Sequence, residues 1–321
     1  MPVTIKKITH DVYSSLSGDN NAVFSSPEWT GMFGDRLQYC GIYEDSHKLV
    51  AGFYYYCDNR AGIPFYHCPP YTPHNGFIFK LSSKNFSAQH SEIKRLMSCA
   101  ALYFNKLSKK GIVRIIFPHD LKDMQVFTWE KFKVSPLYTY RISLEQSMEE
   151  IQSKMLAERR NDIKKAQKDG IICELSNETE LIRNMNEKMF HNKSVSASKT
   201  YLHKILQKFA GINNSYSFIS KYKENVIASV FCIYDSSTVY YLLGSTDESN
   251  KHSGAGALAL WYAIEHAKNL GLKTFDFEGS MIKPVEKYFR GFGGELTPYY
   301  TAVKAPLLIE MLLKLQKREL F

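Results

Sequence analysis

The pattern that most restricts this chain is a structural unit that it spells twice. Cys40 to Cys57 reads as an apolar run, a polar turn and a second run rich in β-branched and aromatic residues, and Phe218 to Tyr234 reads the same way. Two such runs around a polar turn make a β-hairpin. Each hairpin is followed by a helical stretch that stops at a glycine, and then by a strand. In the first copy these are Ser91 to Lys110, Gly111 and Ile112 to Phe117; in the second, Ala255 to Leu270, Gly271 and Leu272 to Phe277. The unit is too long and too degenerate for a solenoid, and it predicts two copies of one α/β domain.

A chain of 321 residues accommodates two such domains, and 44% hydrophobic residues give each half material for a core. The net charge of +9 favours an anionic partner: nucleotide, coenzyme, nucleic acid, phosphorylated sugar or membrane surface. Plain solubility charge is the alternative. The six cysteines form no Cys-x-x-Cys pair, which argues against structural zinc, predicts no metal and suits a reducing cytoplasm. Met1 to Asp11 carries charges and no apolar run follows, so no signal peptide is expected. No stretch reaches the about 18–20 apolar residues of a membrane span.

The sequence divides into an N-terminal domain over 1–135, a C-terminal domain over 136–305 and a terminal helix over 306–321. Between Asn59 and Lys80 lie Pro64, Pro69, Pro70 and Pro73, which predict edge strands and loops that either line a cleft or cover a core. The spacing predicts one helix over 147–168, stopped by Gly170, then helices over 178–193 and 199–210. The terminal helix sets Leu308, Met311, Leu312 and Leu315 on one side, with Lys314, Lys317 and Arg318 near its end. A docked terminal helix is the simple reading; contact with a membrane surface is the other.

Three constellations could carry chemistry. Lys251-His-Ser-Gly254-Ala-Gly256 precedes the helix at Ala255, and small residues at a helix N-terminus let backbone N–H groups approach a pyrophosphate; a tight loop is the plain alternative. Arg160, Lys164 and Lys168 share one helical face, as a phosphate clamp or a solvated face would. Asp276 and Glu278 end a strand where ligand crevices of α/β sheets open, and Glu286, Tyr288 and Arg290 follow on a short helix. A carboxylate there could take a proton from an amine, with Tyr288 or Arg290 steadying an oxyanion or leaving group. Alternatively, Asp276 and Glu286 are partners for Arg290 and Lys287.

Together these segments resemble the FemAB-like branch of the GNAT acyltransferase superfamily. The resemblance rests on Tyr138-Thr-Tyr-Arg-Ile-Ser-Leu144, Arg159-Arg-Asn-Asp-Ile-Lys-Lys-Ala166, Phe275-Asp-Phe-Glu-Gly279 and Phe289-Arg-Gly-Phe-Gly-Gly294, with Phe24-Ser-Ser-Pro-Glu-Trp29 near the start. The loop at Lys251 is similar to the GNAT pyrophosphate loop, with Lys in place of Arg or Gln. The resemblance implies two tandem GNAT-like domains, each a mixed, mostly antiparallel sheet flanked by helices, with a cleft in or between the halves. It also implies transfer of acyl or aminoacyl groups to amines.

Bridge enzymes of the branch, which use aminoacyl-tRNA, often carry Lys where this chain has Arg290, and the two are not equivalent at a catalytic position. The expectation is therefore a cytoplasmic N-acyltransferase, with membrane-peripheral placement as a variant. It would move an acyl group from acyl-CoA to an amine of a small anionic cell-envelope precursor, such as an aminosugar or peptide. Asp276 or Glu278 would be the base, Tyr288 and Arg290 the oxyanion or leaving-group stabilisers, Arg160 and Lys164 the phosphate ligands. Lys251, Gly254 and Gly256 would hold the donor. Aminoacyl-tRNA-dependent peptidyl transfer and a non-catalytic anion-binding module are the alternatives.

Overall fold

The computed structural model describes residues 3–17, 22–192, 198–212, 214–250, 252–279 and 281–316. The chain forms two units, residues 1–137 with 298–321 and residues 138–297. The α/β expectation holds in each: a mixed, mostly antiparallel sheet flanked by helices.

In the first unit β1 (Val3–Ile8) leads through α1 (His10–Ser17) and α2 (Pro27–Thr30) to the hairpin β2 (Leu37–Glu44) and β3 (Lys48–Arg60). Next come β4 (Ile63–His67), β5 (Ile78–Phe79), α3 (Phe86–Ser108), β6 (Ile112–Ile116), α4 (Gln125–Trp129) and the start of β7 (Lys133–Ser143). The strand order is β1-β2-β3-β4-β6, with β5 beside β3. Residues 301–304 then pair with β6.

Alternation on β3 points Phe53 and Tyr55 at α3, whose Leu96, Ala100 and Phe104 recur at helical spacing to meet them. Asn85 starts α3 by accepting a hydrogen bond from the Ala88 N–H. Tyr54, on the other face of β3, donates to the Phe24 carbonyl. Ser26 caps α2, Pro27 begins it, and the fully buried Trp29 donates to Thr72. The Phe24–Trp29 motif is thus a packed cover for this sheet.

The proline-rich stretch corrects the sequence expectation. It does not supply an edge: β4 lies between β3 and β6. Pro64 sits before the parallel ladder to β6, which uses Phe65↔Ile112 and Tyr66↔Val113, so its missing N–H costs that ladder nothing. The Pro64 carbonyl instead comes so close to Gly111 that a Cβ there would lie 2.2 Å from it.

In the second unit, after β7, come α5 (Met148–Lys154), α6 (Ala157–Lys168), β8 (Ile172–Leu175), α7 (Thr179–Asn192) and α8 (Lys199–Phe209). Then follow β9 (Ser215–Tyr222), β10 (Asn225–Tyr234), β11 (Thr238–Thr246), α9 (Ala255–Asn269), β12 (Thr274–Asp276), α10 (Lys283–Arg290) and β13 (Glu295–Lys304). The strand order is β7-β12-β11-β10-β9-β8. Position for position this matches the first unit: β8, β9, β10, β11 and β12 take the places of β1, β2, β3, β4 and β6. In both units the only parallel pair among the described strands joins the third strand of the repeat to the strand after the helix. The repeat therefore contains one more strand than the sequence disclosed, because β4 is hidden among prolines.

Two boundaries differ from the sequence reading. The helix expected over 147–168 is two helices, because Met155 and Leu156 are extended. Ser147 starts the first with a full capping box with Glu150. Residues 298–305, assigned from sequence to the second domain, fall in the first unit because they pair there with β6.

Candidate functional site

The site lies in the second unit, where two parallel strands part. β12 pairs with β11 at Thr238↔Thr274, Val239↔Phe275 and Tyr240↔Asp276 and then stops, while β11 runs on to Thr246. Beyond Asp276 the chain turns through Glu278 and Gly279, both at positive φ (60° and 74°). A glutamate in this left-handed region is strained. The helix α9 starts just after β11, so its N-terminus stands beside the strand edge that β12 leaves.

A polar row crosses the sheet at the parting point. Strand register sets Arg141, Asp276 and Tyr240 side by side on β7, β12 and β11. Asp276 is buried. It accepts from the Thr139 hydroxyl (2.6 Å) and the Glu278 N–H (2.9 Å), and Arg141 Nε lies 3.1 Å from its other oxygen. Tyr240 donates to Asp235 (2.8 Å). The half-buried Glu278 has its carboxyl pushed well above the usual range by burial first and by the Asp276 carboxylate second, against Arg141. Of the two acids expected to act as base, Asp276 is committed to structural partners. Glu278 is the one whose proton affinity is raised by its surroundings.

Beyond the row lies a cluster of aromatic rings that belongs to the core of this unit. Tyr241 meets Phe289 (5.7 Å) and Phe277 (6.5 Å), which meet each other at 5.1 Å. The Tyr241 ring lies across Gly244, where a Cβ would fall 1.6 Å from its hydroxyl. Tyr288 sits nearby, its hydroxyl 3.5 Å from where a Gly256 Cβ would be. The Arg159 guanidinium lies over the Tyr288 ring at 4.9 Å and is itself tied to Asp162 (2.7 Å) and Glu158 (2.9 Å). Burial pushes the Tyr288 hydroxyl well up, against Arg159 and with Asp162, so it keeps its proton at neutral pH.

The other expected site residues are placed apart from this row. Arg290 is exposed and pairs along α10 with Glu286 (3.0 Å), as the plainer reading of that helix has it. Glu286 also accepts from the Tyr140 hydroxyl (2.6 Å), which burial and that carboxylate push up to about 12. Tyr138, Tyr140, Met281, Lys283, Glu286 and Leu296 line an open cavity of about 260 Å³. Arg160 donates to the Met155 carbonyl (2.6 Å) and the Ser153 carbonyl (3.3 Å), so it closes the end of α5. Lys164 is exposed on α6.

Lys251 lies outside the described residues. Gly254 is where α6 crowds α9: a Cβ would stand 2.0 Å from the Asp162 carbonyl oxygen. Its N–H donates to His252, whose other ring nitrogen meets Asp169 at 3.1 Å. Gly256 is less crowded, with Thr246 at 3.3 Å from a Cβ position. The Ala255 N–H donates to the His252 carbonyl (3.3 Å) and the Leu258 N–H to the Gly254 carbonyl (2.8 Å), and Gly254 serves helix packing.

The sequence reading missed Arg141, Thr139, Tyr240 and Arg159 as site residues. Arg141 and Thr139 lay in the strand motif 138–144, where alternation placed them with the same face as Asp276 only once the β7–β12 register was known. Among the described residues, no group of three or more His, Cys, Asp or Glu side chains is placed to hold a metal ion.

Residues 181–290 match the model of an acetyltransferase (GNAT) domain, which spans the parting strands, α9 and α10. No curated protein matches the chain in sequence. The chain is similar in structure to FemX, at 11% identity, with a TM-score of 0.66 over 97% of this chain and 99% of that one. It is also similar to the C-terminal domain of a putative lysylphosphatidylglycerol synthetase from Agrobacterium fabrum (10% identity, TM-score 0.56, 95% and 98% covered). A third likeness is to a tandem GNAT protein from the clavulanic acid biosynthesis pathway (8%, 0.52, 94% and 97%). The chain therefore carries an acetyltransferase (GNAT) domain match over residues 181–290 of its second unit and shares its overall fold with FemX and with a tandem GNAT protein.

Proposed function

We propose that the protein is an N-acyltransferase that moves an acyl group from acyl-CoA to an amine of a small anionic acceptor of the cell-envelope precursor type. The observation that carries this reading is the parting of β11 from β12, with the α9 N-terminus and the Tyr288 hydroxyl beside the freed strand edge. A free strand edge offers backbone N–H and C=O groups to an extended amide-bearing donor arm, and the helix end favours its phosphates.

The amine nitrogen attacks the thioester carbonyl, a C–N bond forms and the C–S bond breaks. The amine's proton passes to the Glu278 carboxyl in its ionised form, and the departing thiolate takes a proton from Tyr288. Direct transfer of this kind depends on holding the two reactants together and needs no covalent enzyme intermediate. Asp276 and Arg141 act by holding the Glu278 turn.

A second reading has one observation in its favour. The overall likeness to FemX is greater than that to the tandem GNAT protein. On that reading an aminoacyl-tRNA replaces acyl-CoA as donor, and tRNA is the partner.

Thermal melting with acetyl-CoA, longer acyl-CoAs and a mixed aminoacyl-tRNA pool, at low and moderate salt, separates the two. A rise with CoA species at both salts supports acyl-CoA, because a ligand of the folded state raises the melting point by mass action. No CoA effect, with a rise from tRNA that disappears at moderate salt, moves the assignment to aminoacyl transfer. Binding without turnover of any amine would leave a ligand-binding module.

A further inference from the structure

We propose that the last described helix, α11 (Leu307–Gln316), is an interfacial helix that seats the protein on an anionic lipid bilayer. This goes beyond the acyl-transfer reading and does not depend on it.

The helix is amphipathic in the reverse of the usual sense: its apolar stripe faces out. Leu307, Leu308, Met311, Leu312 and Leu315 are 57–80% exposed, whereas Ile309, Glu310 and Leu313 on the opposite side are half-buried. Glu310 turns inward to accept from the Ala305 N–H, which fixes the helix start with the stripe outward. A leucine stripe left in water is unfavourable, because each of its side chains would gain by leaving it.

Lysines gather at the base of the helix, together with Glu130 and Glu310. Lys304 donates to Asn105 (2.8 Å) and to the Glu130 carbonyl (2.6 Å). Its ammonium is held below the usual lysine range by burial first, against Glu130 and Glu310, with repulsion from Lys109 and Lys131 a smaller contribution in the same direction as burial. Lys109 and Lys131 are themselves exposed. Trp129, next to Glu130, and Leu102, three residues before Asn105, are 59% and 50% exposed. Exposed leucine and lysine side chains are those that enter the headgroup–acyl boundary and meet anionic headgroups.

The stripe is too small for the main alternative, a second copy of this chain. Ten residues of helix give a face about 15 Å long and 10 Å wide, well short of the about 800 Å² per partner of a stable interface. Among the described residues, no helix is long and apolar enough to cross a membrane.

The test is flotation of the full chain with vesicles of phosphatidylcholine alone or of phosphatidylcholine mixed with phosphatidylglycerol. The protein is expected to float with the mixed vesicles and about fivefold less for each of Lys109→Ala and Lys131→Ala. L308E/L312E, at exposed positions that leave the melting point unchanged, is expected to reduce flotation at least tenfold. No flotation of the unmodified chain, equal flotation of L308E/L312E, or equal flotation on both vesicle types overturns the proposal. Light scattering completes it: a dimer abolished by L308E/L312E, without vesicle binding, assigns the stripe to a second copy instead.

Discussion

Arg141 and Asp276 face each other across paired strands, with Nε 3.1 Å from Oδ2 and both side chains largely buried (19% and 9% exposed). The approach is an ion pair in register, Asp276↔Arg141, at the point where β12 ends. Because Asp276 also holds the Glu278 N–H, this pair fixes the turn that presents the candidate base. A buried charge stripped of its partner costs far more than the pair itself contributes. Asp276→Ala should therefore destabilise the protein by about 3–5 kcal/mol in urea unfolding, and the Arg141→Met/Asp276→Leu double variant by clearly less. Additive losses in the double variant would show that the two residues are not coupled.

Glu278 should betray its raised proton affinity through pH. Its folded carboxyl takes up protons more readily than the unfolded one, so the folded state binds more protons once pH exceeds the unfolded value of about 4.3. Stability then falls with rising pH until the folded carboxyl ionises. Glu278→Gln removes that loss. Its melting point should match the parent near pH 4 and exceed it at pH 8. The same substitution should lower acyl transfer by about 10²–10⁴-fold if Glu278 is the base. A variant less stable at every pH would mean that the charged carboxylate is held by Arg141 instead.

Much of this was legible in the sequence, and the gaps have physical causes. The hairpins were readable because their alternation needs only local chain. The third strand of the first copy was not, since Pro64 reads as an edge residue until the ladder is seen to begin one residue later. The break at Met155 and Leu156 was hidden because helical periodicity continues across it. The acids at 276 and 278 were readable as a pair, but their division of labour depends on Thr139 and Arg141, brought alongside although Thr139 lies 137 residues from Asp276 in the chain. Arg160 looked like a free phosphate ligand because sequence cannot show that two carbonyls ending α5 already accept its guanidinium.

Gly254 and Gly256 are predicted to differ sharply, although both belong to the expected donor loop. Gly254 has an ordinary φ of −98°, so its requirement is space alone: a Cβ would press 2.0 Å from the Asp162 carbonyl. Gly254→Ala should cost about 1–3 kcal/mol or more by forcing α6 from α9. Gly256→Ala has 3.3 Å to Thr246 and should fall within about 1 kcal/mol of the parent, since alanine favours the helix while the contact tightens. Gly256→Ala is thus the cleaner probe of donor binding. Loss of a CoA-induced melting shift there, with the unliganded melting point kept, would locate the donor at the α9 N-terminus.

Tyr288 supplies the sharpest separation between packing and chemistry. Its ring is held by Arg159 at 4.9 Å and by Phe292 at 5.4 Å, and Tyr288→Phe keeps both contacts. The variant should melt within a few degrees of the parent. If the hydroxyl protonates the leaving thiolate, kcat should drop by about 10²-fold or more while KM for the acyl donor stays nearly level. The defect should shrink for donors whose leaving group is more acidic than a CoA thiol, because such a group departs without the proton. Equal loss for both donor types would assign Tyr288 to positioning, and the proton would have to come from water.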